Sequence, residues 1–345
     1  MNELFQFIPP SKGACGLEDY AKHLASMCSG HNDARNHRHF LSAETSGSMI
    51  NLPCFNQMER QQTVVLHYSG YGYSKRGAPL WLVRFMRLFR GKHAGMPWIT
   101  MFHEVAASGP VYTSAFWTRP LQLWVARCLQ QLSDAVFTNC SMNMDILREA
   151  SAKVAGDIRL IPVFSNFGEP ATLVPVRDRQ SQLVIFTSNF GGRNPTGEFW
   201  QGVVQAVAQH HVAKVVLIGR PLSRLPELPF PVMNAGFLET GQVSEMLGQS
   251  RFGYAFFGPK LLGKSGIFAA FAAHGVIPLI PVGDAHLPDG LTARTHYLRS
   301  CDDSTALELD ALQAGLLTWY RHHDLKSTAD IYLAAADRLQ RKNRL

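Results

Sequence analysis

No apolar run in the 345-residue sequence approaches the length that crosses a bilayer, so a membrane-spanning helix is not expected. The opening MNELFQFIPP has an early acid, no basic lead-in and no long apolar block, so it does not read as a secretory signal. The six cysteines (Cys15, Cys28, Cys54, Cys128, Cys140, Cys301) lie far apart without a Cys-x-x-Cys pair. That argues against a zinc cage or a disulfide framework, and for a reducing cytoplasm. Although the formal net charge is +7 with a pI near 9.2, there is no Lys/Arg tract. An anionic partner is expected, but the scatter of the charges argues against nucleic acid. Neither a P-loop nor a dinucleotide fingerprint follows the first strand of either half, and no Gly-x-Ser-x-Gly elbow is present. Kinase, dehydrogenase and common α/β hydrolase readings drop accordingly.

What is present is an apolar fraction of 46% with 17% charged residues, the composition of a packed globule long enough for two domains. Apolar β-rich runs alternate with helical segments. Strands are expected at 5–9, 48–53, 63–69, 98–104, 135–139 and 158–164, with helices at 17–27, 79–90, 118–132 and 141–150. The second half repeats the plan, with strands at 183–190, 214–219, 232–237, 252–257 and 276–282 and helices at 197–210, 241–249, 265–274 and 304–322. Continuous apolar strands between helices predict parallel sheets covered on both faces, here two Rossmann-like domains. The boundaries expected are 1–168, 180–325 and a C-terminal helix, 326–345, packing back on the first domain, with a polar joint near 166–182. Residues 29–47 read as a histidine-dotted loop. The spacing of His31, Asp33, His37 and His39 fits no metal motif, and no metal is expected.

Ligands of open parallel sheets bind beyond the carboxyl ends of the strands. There the first half carries Gly13 and Gly16, then HYSGYGYSKRGAP with Tyr71, Gly72 and Tyr73, then His103-Glu104 closing WITMFHE. The second half carries Gly191, Gly192 and Arg193, then Arg220, then Lys260 and Lys264 leading into GKSGIFAAFAAHG. In that stretch a cation and the hydroxyl of Ser265 precede a short buried helix, and Gly263 and Gly266 keep side chains away from its free N–H groups. Such a helix start with converging cations is a site for a diphosphate.

The ordered set of these landmarks resembles the retaining glycosyltransferases of family 4, of the GT-B fold, along nearly the whole chain. It runs from the Gly13/Gly16 loop through HYSGYGY, ITMFHE, AVFTNCSMNMDIL and IRLIPVFSN. It continues through LVIFTSNFGGR, VVLIG, NAGFLETGQVSEMLGQSRFGYAFF and KSGIFAAFAAHGVIPLI. The resemblance implies an α/β GT-B protein, two Rossmann-like domains with their sheets facing across a cleft. It implies a hexosyltransferase-type enzyme that moves a sugar from a nucleotide sugar to a glycan or lipid-linked acceptor, with retention and without metal or other cofactor. Gly13 and Gly16 would lie over the donor phosphates and acceptor. His103 would touch the transferred sugar. Arg193 would bind the diphosphate, and the backbone around Gly236, Phe237 and Leu238 would hold the base.

One departure stands out. The Glu-x7-Glu pair of the family would fall at Leu262 and Ala270, and neither is a carboxylate. A catalytically inactive GT-B subunit supporting a partner transferase therefore remains as the alternative. Finally, residues 79–93 place Trp81, Phe85, Leu88 and Phe89 on one broad helical face, with Arg84, Arg87, Arg90 and Lys92 outward. The apolar face suits packing on the sheet, and the cations suit an anionic membrane surface on the cytoplasmic side.

Overall fold

The computed structural model describes residues 3–10, 16–30, 36–51, 62–107, 109–151, 158–190, 194–256, 258–281 and 286–343. The chain divides into two units, Met1–Pro162 with Leu325–Leu345, and Val163–Asp324.

The first unit is built on six strands: β1 (Glu3–Ile8), β2 (Asn36–Phe40), β3 (Gln62–Ser69), β4 (Trp98–Glu104), β5 (Ala135–Thr138) and β6 (Ile158–Leu160). All are parallel, in the order β2-β1-β3-β4-β5-β6. Parallel neighbours need crossovers, which bury both faces, and β3 and β4 are buried along nearly their whole length. The helices here are α1 (Gly16–Gly30), the one-turn α2 (Ser46–Met49) and α3 (Gly70–Tyr73), then α4 (Leu80–Lys92), α5 (Ser114–Leu132) and α6 (Ser141–Ala150). Aromatic rings fill the core: Phe7 meets Phe85 at 5.6 Å and Phe89 at 5.9 Å between centroids, both edge-on.

Two sequence expectations change in this unit. The stretch 29–47, expected as a loop, contains β2, and 48–53, expected as a strand, begins with the end of α2. β2 is the sheet's edge and pairs with β1 alone, so a polar sequence such as NHRHF is tolerated and leaves no apolar signal. His39 stacks on Phe5 at 5.9 Å, while His31 and Asp33 lie outside the described residues. Among the described residues no group of three His, Cys, Asp or Glu could hold a metal ion. The apolar face of α4 packs into the core as its spacing suggests, save Leu88, which is exposed. Phe85 and Phe89 are in the core with Leu82, Val83 and Met86, Arg90 pairs with Asp134 at 2.8 Å, and Lys92 bonds Asn51 Oδ1 at 2.9 Å.

The second unit holds β7 (Gln180–Phe186), β8 (Lys214–Ile218), β9 (Val232–Gly236), β10 (Ser250–Tyr254), β11 (Ile277–Ile280) and β14 (Leu298–Arg299) in one parallel sheet. Its order is β14-β11-β10-β7-β8-β9, and β12 (His286–Leu287) with β13 (Leu291–Thr292) forms a separate antiparallel pair. The helices are α7 (Gly197–Gln209), α8 (Thr240–Gln249), α9 (Gly266–Ala273) and α10 (Ala306–Arg321). The stretch read as a joint is tied into this unit. Tyr320 Oη accepts from the Ser165 N–H at 2.8 Å and donates to Glu169 Oε1 at 2.6 Å, and the Val176 N–H donates to Gln313 Oε1 at 3.1 Å. The last helix, α11 (Leu325–Lys342), belongs to the first unit, where it packs on α1 and sets Tyr332 edge-on to Phe137 at 5.0 Å.

Candidate functional site

Strand order locates where each sheet can bind. In the first unit the winding reverses between β1 and β3, and in the second between β7 and β10. At such a point the loops beyond two adjacent strands diverge to opposite faces and leave a crevice.

At the first reversal, Pro9 follows β1 and α3 follows β3. The two loops touch: a Cβ on Gly72 would lie 2.8 Å from the Pro9 ring. The glycine thus serves close packing within the chain. Tyr73 is a core residue, buried, with its hydroxyl donating to His67 O at 3.2 Å and Phe7 O at 3.4 Å. Tyr71 is exposed, its hydroxyl accepting from Gln122 Nε2 at 3.3 Å. Gln122 also donates to Arg76 O and accepts from the Ala107 N–H, both within 2.9 Å, and so pins this loop to α5. Gly16 opens α1, and Gly13 lies outside the described residues.

His103 is nearly buried at the end of β4. Its Nε2 lies 3.1 Å from His67 Nδ1, and His67 Nε2 lies 2.8 Å from Gln6 Oε1. The Gln6 oxygen can only accept, so His67 carries its proton on Nε2 and presents Nδ1 as an acceptor to the His103 Nε2–H. Burial, reinforced by the His103 ring, holds His67 well below the usual histidine range, so this acceptor persists at neutral pH. The Tyr20 ring of α1 stands edge-on to His103 at 5.1 Å. Asn143 Nδ2 donates to the His103 carbonyl at 3.1 Å. Next in the chain, Glu104 is exposed and accepts from Ser69 Oγ at 2.9 Å. Sequence reasoning found His103 but missed Gln6, His67 and Tyr20. The signal available for Gln6 and His67 was a polar residue inside a largely apolar strand; Tyr20, in a mixed helix, had none.

At the second reversal, β7 leads into a 3₁₀ turn, Thr187–Phe190, while Gly191, Gly192 and Arg193 lie outside the described residues. Thr187 Oγ1 reaches Ile218 O at 3.1 Å and Arg220 O at 2.7 Å, tying the β7 and β8 loops together and leaving the Arg220 side chain exposed. Phe237, beyond β9, is 75% exposed, and Leu238 is half-buried. Beyond β10, a 3₁₀ segment, Pro259–Lys264, delivers the chain to α9. Lys264 therefore ends that segment one residue before the cap. Lys260, earlier in the segment, is exposed.

Ser265 is the N-cap, its Oγ accepting from the Phe268 N–H at 3.2 Å. Gly266 is the first helical residue, and a Cβ there would meet only Asn166 Nδ2 at 3.9 Å. As first-turn groups, the N–H groups of Gly266 and Ile267 have no acceptor within the helix. The helix is held from below. Phe268 to Ala273 are all buried, and Phe271 lies flat over Gly253 of β10, where a Cβ would fall 2.6 Å from the ring. The Gly263 carbonyl accepts from the Val163 N–H at 2.8 Å. His274 ends the helix by donating from Nδ1 to Ala270 O and accepting from Ser244 Oγ on Nε2, both at 2.8 Å. Burial lowers its pKa and keeps it neutral for that role. Leu262 and Ala270, at the positions of the absent carboxylates, are both buried in the core. A separate concavity lined by Asp134, Arg159 and Arg338 lies at the opposite, amino ends of β5 and β6 and takes no part in either site.

Two Rossmann-like units, each with its polar residues at the winding reversal, place the chain in the α/β GT-B fold class. No protein-family model matches the sequence, and no curated protein matches it significantly. Among solved structures, accessory secretory protein 1, 2 and 3 of Streptococcus pneumoniae aligns with 87% of this chain and 57% of its own, at 11% identity and a TM-score of 0.53. This chain thus spans little more than half the length of that one, and the likeness is of fold. The apo form of the lipopolysaccharide outer core galactosyltransferase WaaB aligns with 99% of this chain and 98% of its own, at 13% identity and a TM-score of 0.49. MnaA of S. aureus, solved with UDP, aligns with 95% and 91% at 10% identity and a TM-score of 0.45.

Proposed function

We propose that the chain is a nucleotide-sugar-dependent glycosyltransferase of the cytoplasm that glycosylates a glycan or lipid-linked acceptor in cell-surface polysaccharide synthesis. The observation that carries this reading is the start of α9 at the second winding reversal, where Ser265 caps the helix, Gly266 leaves open space beside its first turn, and Lys264 stands one residue before the cap. Breaking a sugar–diphosphate bond puts negative charge on the leaving diphosphate. A fixed cation and a helix N-terminus stabilise that charge without reorganising as it forms. Arg193 and Arg220, from the neighbouring loops, would neutralise the remaining phosphate oxygens. Phe237 and Leu238 would hold the base. In the first unit His103, oriented by His67, would face the transferred sugar, with Tyr71, Gly72 and Glu104 on the acceptor side. Retention of anomeric configuration and membership of family 4 belong to the same proposal. Its test is a thermal-shift screen of nucleotide sugars followed by donor turnover, since a donor that binds only the folded chain raises its Tm. If no nucleotide sugar or nucleoside diphosphate raises the Tm, the assignment fails.

The buried Leu262 and Ala270 favour a second reading, an inactive GT-B subunit that supports a partner transferase. Turnover of any donor by the purified chain eliminates it.

A further inference from the structure

Residues 60–133 carry nine Lys and Arg but a single acid, Glu104. In the middle of this stretch, the approach to α5 and its outer face are apolar and uncovered. Tyr112 is 85% exposed and Trp117 73%, and Val111, Phe116, Leu121 and Trp124 are exposed as well. Trp117, Leu121 and Trp124 follow one another at helical spacing, so they form one stripe. The opposite face, with Val125, Ala126 and Leu129, is buried against the sheet. An uncovered apolar stripe of this extent marks an interaction surface.

Two further features say what covers it. First, three polar side chains at its apolar end bond within the chain. The Trp117 Nε1–H donates to Val111 O at 2.8 Å, Thr113 Oγ1 to Pro110 O at 2.7 Å, and Thr118 Oγ1 to Ser114 O at 2.8 Å. For these side chains a partner that offers no hydrogen bonds costs little, which fits the head-group–acyl boundary better than a protein surface. Second, the other end of the stripe is cationic. Arg87 of α4 reaches Cys128 Sγ at 4.0 Å, and Arg127 is exposed beside it, with Arg84 exposed one turn earlier on α4. α4 and α5 contain no acid at all. Aromatic rings at the boundary of the acyl chains with arginines at head-group level is the arrangement of an interfacial helix.

We propose that the outer face of α5 docks on an anionic phospholipid bilayer, Phe116 and Trp117 entering the head-group–acyl boundary while Arg84, Arg87 and Arg127 meet lipid phosphates. The surface is independent of the transfer chemistry, because vesicle binding is read without donor or acceptor.

The full chain is mixed with phosphatidylcholine vesicles, with or without phosphatidylglycerol, and binding is followed by sedimentation and by quenching of tryptophan with bromine on the acyl chains. Binding is expected only with phosphatidylglycerol and weakens with salt. Trp117→Ser with Trp124→Ser lowers affinity at least tenfold. Arg84→Gln, Arg87→Gln and Arg127→Gln each lower it by up to about fivefold. Trp117→Phe with Trp124→Phe keeps binding but loses most of the quenching. All these side chains are exposed, so the Tm of each variant stays near that of the parent. Equal recovery on neutral and anionic vesicles, or binding without quenching, overturns the proposal. A concentration-dependent dimer abolished by Trp117→Ser, with no vesicle binding, also overturns it and assigns the face to a second copy of the chain.

Discussion

His103 Nε2 and His67 Nδ1 lie 3.1 Å apart, and His67 is anchored on its far side by Gln6 Oε1 at 2.8 Å. The three side chains come from β4, β3 and β1, adjacent strands of one sheet, so the geometry is fixed by strand pairing and not by loop conformation. His67→Phe keeps a ring of similar size but removes the acceptor that sets the His103 tautomer. The expected result is a fall in kcat of roughly tenfold, about 1.4 kcal/mol, with the donor KM little changed. His103→Ala should fall further, by roughly a hundredfold. Unchanged kcat in both variants would make the pair purely structural.

Lys264 and Gly266 are expected to separate function from stability. Lys264→Ala should cut transfer by roughly a hundredfold, in line with about 2.7–4 kcal/mol for a lost donor to a developing anion, while the Tm stays near that of the parent. Arg193→Ala should behave alike, and the double variant should fall short of the product because both cations serve one charge. Gly266→Ala adds a methyl that meets only Asn166 Nδ2 at 3.9 Å, so the fold accepts it and the helix gains propensity. The same methyl stands where a phosphate would approach the backbone. Donor affinity should drop by tenfold or more in a protein whose Tm is unchanged or raised. Normal donor binding by Gly266→Ala would remove the helix start from the site.

Gly253 sets the position of that helix start from beneath. A Cβ there would lie 2.6–2.7 Å from three atoms of the Phe271 ring, too close for any real contact. Gly253→Ala therefore has to lift α9 or turn Phe271 off its rotamer, at a cost of about 1–3 kcal/mol. Denaturant melts should show that loss, and donor affinity should fall with it. Pairing the change with Phe271→Leu should recover part of the stability. If Gly253→Ala proves neutral, the strand does not fix the helix.

These sites were unequally legible in the sequence. The alternation of apolar strands with helices was plain, because buried parallel strands are apolar without interruption. β4 falls where expected, and so does α6. The cap at Ser265 was legible too, since a hydroxyl before an apolar run has few other uses. The approach of Lys264 to that helix was not legible, because nothing in PKLLGK announces a 3₁₀ segment. β2 was missed for the opposite reason: an edge strand needs no apolar pattern. His103 was legible at the end of its strand, but its pairing with His67 was not. His67 and His103 are thirty-six residues apart, and only the adjacency of β3 and β4, a property of crossover geometry, brings them together. The exposed stripe of α5 was likewise invisible, since Trp and Phe at helical spacing read equally well as core.

Acid should destabilise the fold well before its carboxylates titrate, and His323 provides the clearest test. The ring is buried beside Trp319, 4.4 Å between centroids, and Tyr320, at 5.3 Å. Burial pushes its pKa down to about 3, with the neighbouring His322 acting in the same direction. In the unfolded chain the same ring titrates near the ordinary value of about 6.5. Between those two pH values the unfolded state binds a proton that the native state does not, so stability rises with pH and is lost as pH falls below about 6.5. From pH 6.5 to 5 this one residue would cost about 2 kcal/mol. The buried His67 and His274, both also lowered by desolvation, add to the loss with the same sign. His323→Leu removes one proton from the difference and keeps an apolar side chain in place. Its unfolding free energy should therefore fall less steeply than that of the parent between pH 7 and 5, by up to about 1.4 kcal/mol per pH unit. Urea melts at pH 7, 6 and 5 on both proteins measure the two slopes, and parallel slopes would mean that His323 already takes up its proton in the folded chain.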